Sequence, residues 1–218
     1  MVNVLGFSTS PPEGGAFTPI VKYDARAGRL FRIDRIENNG NFANEAVDIT
    51  QSFKAIVDFE NMGTGYVLFA PGIAPDFKLV RLGNEFPDRP SEKHKHGVRL
   101  MIKLAKDCGG DKPIREMAGT SKAFLSGIEA VYTQYLAEKD NHPGKLPVTV
   151  LEKTTPIRSG TGEHSSTNYQ PTFKIVGWAP RGDLLAVAAP PDGGPPATGS
   201  TQVEAPRADE TVSIDDFG

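Results

Sequence analysis

Apolar and polar residues alternate along this chain in short bursts. The clearest is HGVRLMIKL (96–104), where Val98, Leu100, Ile102 and Leu104 fall on one side of an extended backbone and Arg99, Met101 and Lys103 on the other. This period of two predicts a strand with one face in a core and the other wet and basic. Seven more segments are rich in β-branched and aromatic residues and bounded by Gly, Pro, Asn or Asp: TPIVKYD (18–24), RLFRIDRI (29–36), SFKAIVDFE (52–60), TGYVLFA (64–70), DFKLVRL (76–82), LPVTVLEK (146–153) and PTFKIVGWA (171–179). All eight are expected to be wholly or partly strand.

The period changes once. Phe124, Ile128, Val131 and Tyr135 recur at spacings of four, three and four, which predicts one helix over about 121–138 with a single apolar stripe. Gly119 and Thr120 can open it, and NHPG after Asp140 closes it. Strands, one helix, then two strands is the order of a mainly β, Greek-key barrel of the oligonucleotide-binding (OB-fold) type, the helix plugging one end. A β-sandwich with an inserted helix is the alternative. Between the last two strands, TTPIRSGTGEHSSTNYQ (154–170) reads as a long polar loop carrying Arg158, His164, Asn168 and Tyr169, free to close over a ligand.

Composition adds a division of the chain. Residues 183–218 hold seven acidic side chains against Arg207 alone, whereas residues 1–182 hold 23 basic and 20 acidic ones. A mildly basic body therefore carries an acidic tail. Residues 183–208 are rich in Pro and Gly and poor in large apolar groups, which predicts a flexible linker. The tip, residues 209–218, sets Asp209, Glu210, Asp215 and Asp216 around Val212, Ile214 and Phe217, as in a docking peptide. No run of about 18 apolar residues occurs, and the first residues lack the basic start and apolar stretch of a secretory signal, so an intracellular location is expected. The single Cys108 supplies neither a disulfide nor a thiolate zinc cage.

Catalytic patterns are weak. No GxSxG elbow is present, and GGDKP (109–113) lacks the spacing of a phosphate-binding loop. His94 and His96 have a metal-compatible spacing, but Lys93 and Lys95 oppose a divalent cation, so SEKHKHG reads as a solvated basic loop that can meet phosphate. Asp48, Asp58, Glu60 and Asp76 are the carboxylates from which a metal-dependent nuclease would be built, and no pattern selects among them. No enzyme, cofactor or metal is expected.

Cations interleaved with aromatic residues are the stronger pattern. KYDARAGRLFRIDR contributes Lys22, Tyr23, Arg26, Arg29, Phe31, Arg32 and Arg35; PDFKLVR contributes Phe77, Lys78 and Arg81; the strand from 96 adds Arg99 and Lys103. In PTFKIVGW, simple alternation puts Lys174 and Trp178 on one face, opposite Phe173 and Ile175. Such a surface neutralises a sugar-phosphate backbone while a ring stacks on an unpaired base. The expected nucleic-acid-binding set is Lys22, Tyr23, Arg29, Arg32, Lys78, Arg99, Lys103, Arg158, Tyr169, Lys174 and Trp178.

The layout, a β-rich basic body, a Pro/Gly-rich linker and the tip SIDDFG, resembles the single-stranded DNA-binding proteins of bacteria and bacteriophages. Here Phe217 is followed by Gly218 rather than ending the chain. The resemblance implies an OB-fold protein that coats and protects single-stranded DNA in phage replication and recombination, in the cytoplasm of an infected bacterial cell. It also implies that the tail, through Asp209, Glu210, Asp215, Asp216 and Phe217, recruits replication or recombination proteins. Oligomers are compatible with it. The alternative function is a non-enzymatic β-domain that binds another protein.

Overall fold

A computed structural model describes residues 19–159 and 165–186 of the 218-residue chain. The body is mainly β with one main helix. In chain order the strands are β1 (Ile20–Asp24), β2 (Arg29–Asn38), β3 (Asn41–Asp48), β4 (Lys54–Val57), β5 (Gly63–Leu68), β6 (Asp76–Arg81), β7 (Lys95–Leu104), β8 (Ile114–Gly119), β9 (Lys145–Ser159) and β10 (Ser166–Pro180). One helical turn, α1 (Lys106–Gly109), follows β7, and the main helix α2 (Lys122–Glu138) follows β8.

The strands form one sheet in the order β10-β9-β4-β7-β8-β1-β2-β3. β7 is its hinge: Ile102 to Leu104 pair with β4, whereas Lys95 to Arg99 pair with β5, so a β5–β6 hairpin branches from the same edge. Alternation along β7 fixes the faces. Leu100, Ile102 and Leu104 point inward with Val21, Leu30 and Met117, and Arg99 and Lys103 point outward. Helix α2 covers the inner face with Phe124, Ile128, Val131 and Tyr135, the stripe expected from its periodicity. Ser121 caps it, accepting from the Phe124 N–H at 3.2 Å. The cap comes one residue after Thr120. Close packing at two glycines seats the helix: a Cβ on Gly119 would strike the Phe124 ring, and one on Gly127 would strike Pro171.

The expected barrel is open. No ladder joins β10 to β3 among the described residues. The curled sheet is instead drawn together at one point, where the Tyr169 N–H donates to the Ala25 carbonyl at 2.6 Å. The Tyr169 ring packs over Gly28, whose φ of +67° and whose missing Cβ both suit that approach.

Residues 154–170 are not one long loop. Residues 154–159 and 166–170 continue β9 and β10 as a paired hairpin, with Asn168 opposite Ile157 and Tyr169 opposite Pro156. Thr-rich extended chain satisfies its backbone across the hairpin instead of wrapping a ligand. His164 lies outside the described residues. Two strands also escape the period-two pattern, β3 and β8. The packed body extends slightly past residue 182: the 3-10 turn Gly182–Ala186 buries Leu184 completely. Arg181 ties that turn down through the fully buried Asp58 at 2.6 Å and through Glu60. The rest of the linker and the tip, with Asp209, Glu210, Asp215, Asp216 and Phe217, lie outside the described residues.

Candidate nucleic-acid interface

A groove of about 730 Å³ runs between β1 and the β5–β6 hairpin. Alternation decides what lines it. β1 turns Val21 into the core and Lys22 outward, and the β1–β2 turn adds Arg26. At the opposite wall stand Phe69, 47% exposed just past β5, and Phe77 on β6, their rings edge to face at 6.0 Å. Lys95 opens β7 at the same rim. Lys22, Arg26 and Lys95 are exposed, and among the described residues none of these side chains is ion-paired.

The floor is polar but neutralised. Arg99 donates to Glu116 Oε2 through Nε at 2.8 Å and Nη2 at 2.6 Å, and its guanidinium lies 5.0 Å above the Phe77 ring. One carboxylate thus cancels one cation while orienting it against an aromatic wall. The wall itself is braced from behind. His94, nearly buried, sits between Ser91 Oγ at 2.8 Å and Asp76 Oδ2 at 3.1 Å, which fixes the start of β6 next to Phe77. The loop reading of His94 as solvated is therefore corrected: burial between two polar partners makes it a structural pin. His96 remains exposed, with Nε2 at 3.3 Å from the Tyr66 hydroxyl.

Of the expected binding set, the groove collects Lys22 and Tyr23, with Arg99 behind Phe77. Tyr23 is largely spent on structure. Its hydroxyl donates to the Tyr169 carbonyl at 2.7 Å, its ring stacks on Phe124, and burial followed by the nearby Asp24 pushes its pKa up to about 12. Tyr169 contributes backbone and packing where its neighbour Asn168 lines the groove.

The others are elsewhere. Arg29 pairs with Asp48 at 2.7 Å. Arg32 turns to α1, bonding the Cys108 carbonyl at 2.9 Å and Asp34 at 2.8 Å, with Gly110 against its guanidinium. Lys78, next to Phe77 on a pleated strand, faces the opposite side, 3.7 Å from Asp76. Lys103 is on the outer face but pairs with Asp183 at 3.5 Å. Arg158 sits on the distal hairpin, bonding Ser165 Oγ at 3.2 Å, and Lys174 lies 3.7 Å from Glu152. Trp178 reverses its expected side. A bulge between Ile175 and Gly177 inserts one residue, so Trp178 joins the inward set of Phe173 and Ile175, away from Lys174. There its ring stacks on His142 at 4.4 Å and packs near Tyr135.

Sequence reasoning missed Phe69 and the placement of Lys95. Phe69 closes TGYVLFA, where nothing separates a rim residue from a core one. Lys95 lay in the basic loop read as a phosphate contact, and only its pairing with Val67 brings it beside the rings. The nuclease carboxylates are engaged with other groups: Asp48 with Arg29 and Thr50, Asp58 and Glu60 with Arg181, Asp76 with His94. Comparison with known protein families, curated proteins and solved structures finds no match for this chain.

Proposed function

We propose that this chain binds single-stranded DNA, without strong sequence preference, in the groove between β1 and the β5–β6 hairpin. The observation that carries the reading is the convergence of three cations with no ion-pair partner among the described residues, Lys22, Arg26 and Lys95, on two accessible rings, Phe69 and Phe77. Lysine and arginine at a rim neutralise phosphates, and flat rings accept any base face, so the combination binds strands without reading them. The chemistry is binding, with no bond made or broken, and its role is protection of single strands during phage replication or recombination in the host cytoplasm.

The acidic tip extends this reading. The chain leaves the described body at Ala186, on the side of β7 that bears Lys103. Asp209, Glu210, Asp215, Asp216 and Phe217 offer carboxylates and an aromatic ring as bait for basic, pocketed partner proteins.

The test is titration of a labelled oligo-dT with the full chain at low and rising salt. Saturable binding that weakens with salt, and that falls when Lys22 and Lys95 are both replaced by Ala, supports the reading. Absence of binding at low salt, or binding indifferent to both lysines, removes it in favour of a protein-binding β-domain.

A further inference from the structure

β3 ends the sheet, and its outer edge has no partner strand among the described residues. An unpaired edge is a template for another strand, and folded proteins usually blunt it with charge, proline or bulges. The other margins do so here. β6 places Asp76, Lys78 and Arg81 within six residues. The distal part of β9 carries Glu152, Lys153 and Arg158 and is broken by Pro156. β10 has Pro171 and a bulge at Val176, its Ile175 N–H is taken by Gln134 Oε1 at 3.3 Å, and its Tyr169 N–H by Ala25. β3 has almost none of these devices. It makes eight unbroken pairs with β2, lacks proline and lysine, and has Glu45 as the one charge between Asn41 and Val47. Phe42 through Ala46 are exposed, Phe42 by 60%.

We infer that β3 pairs antiparallel with β3 of a second copy of this chain, about a twofold axis through Asn44. Opposed residues of an antiparallel pair share a face, so a twofold axis normal to the sheet passes through a residue and not between two. An axis at Glu45 would set two carboxylates side by side. The axis at Asn44 gives the same seven-residue overlap without that repulsion: asparagine meets asparagine, Glu45 meets Ala43, and Phe42 meets Ala46. Large then lies on small. Ile33, the β2 partner of Ala46, widens the apolar patch that receives the Phe42 ring. The Arg35 guanidinium, 4.2 Å above that ring, closes it from its own side.

The joined sheet runs β1-β2-β3 into β3-β2-β1 of the second copy, with both outer faces on one side. Five strand spacings, about 24 Å, separate the two β1 strands, and the two Lys22 side chains, each level with Asp48 and so four residues from the axis, are offset by about a further 27 Å along the strands. This pairing stands independently of DNA binding, but where the groove does bind a strand, the dimer offers two such sites side by side.

Analytical ultracentrifugation of the full chain across the micromolar range tests the pairing. The wild type is expected to sediment as a dimer, and Asn44→Pro or Ala46→Lys as a monomer with an unchanged circular dichroism spectrum. Cysteine placement tests the axis. Asn44→Cys is expected to form a disulfide-linked dimer on mild oxidation, because the two positions face each other. Ala46→Cys alone is not, since the two copies of that residue are offset by about 13 Å along the strands. Mixing Ala46→Cys with Phe42→Cys is expected to restore linkage. A wild-type monomer throughout, a dimer that survives both edge variants, or linkage at Ala46 as readily as at Asn44 would overturn the inference.

Discussion

Removing Lys22 and Lys95 together isolates the electrostatic part of the proposed binding. Both side chains are exposed at the groove rim and unpaired among the described residues, so their replacement by alanine disturbs no buried partner. On single strands each cation that meets a phosphate contributes about 0.7 to the slope of log affinity against log salt. Lys22, Arg26 and Lys95 together give a slope near −2.1, so raising salt from about 50 to about 200 mM weakens binding about 18-fold. With Arg26 alone remaining, the same change weakens it only about 2.6-fold. The assay is fluorescence anisotropy of a labelled oligo-dT at four or more salt concentrations, with the variant's fold checked by circular dichroism. A double variant whose slope equals that of the wild type would refute the assignment, because cations elsewhere would then be carrying the phosphates.

Four other outcomes follow from the same geometry. Glu116→Gln releases Arg99 from its ion pair at the groove floor and is expected to tighten oligo-dT binding and steepen the salt slope by about 0.7; weaker binding would mean that Glu116 orients Arg99 productively. Phe69→Ala is expected to weaken binding by about 5- to 150-fold, the worth of one base stack of about 1–3 kcal/mol, whereas Phe69→Trp gives a fluorophore that DNA quenches while Trp178, stacked on His142, stays silent; quenching of Trp178 in the wild type would place the strand elsewhere. Burial first, then Asp24 or Glu60, raises the Tyr23 and Tyr135 hydroxyls from 10.0 to about 12, so the stability they confer is complete below pH 10 and is lost as pH climbs toward 12; Tyr23→Phe should flatten that loss in alkaline denaturation curves, and an unchanged curve would count against it. Arg181→Ala leaves Asp58 buried without its cation and is expected to cost about 3–5 kcal/mol in urea unfolding, a loss under 1 kcal/mol being evidence that water replaces the guanidinium.

The strands that sequence reveals are those with one wet and one dry face, and the two it hides fail that condition in opposite ways. β3, NFANEAVD, is exposed on nearly every residue, so no alternation exists to be read; it is a strand because β2 holds it through eight backbone pairs. β8, IREMAG, is buried between β7 and β1, and its central Arg115 and Glu116 look like surface residues. Their burial is made tolerable by partners far away in sequence: Arg115 reaches Asp34 at 2.7 Å and the Ile33 carbonyl at 2.9 Å, and Glu116 is held by Arg99. Even so, burial pulls the Arg115 pKa down against the opposing pull of Asp34. Charge satisfied by tertiary contact is invisible to a hydropathy pattern.

The site was legible to the extent that strand parity was undisturbed. On β1 and β7 no bulge intervenes, and Lys22 and Arg99 face outward as their spacing from Val21 and Leu100 requires. On β10 two register shifts separate Tyr169 from Trp178, and the second of them carries the only tryptophan from the expected DNA-binding side into the helix-packed side. Pairing partners matter as much as parity. Phe69 and Phe77 become a wall of the groove because β5 and β6 branch from the upper half of β7 where β4 stops, an outcome that depends on Gly65, where the Lys78 carbonyl packs too closely for a Cβ. Adding a methyl at Gly65, at a φ of +154° and 2.2 Å from that carbonyl, should therefore displace the hairpin and open the groove, separating the rings from the cations without touching either.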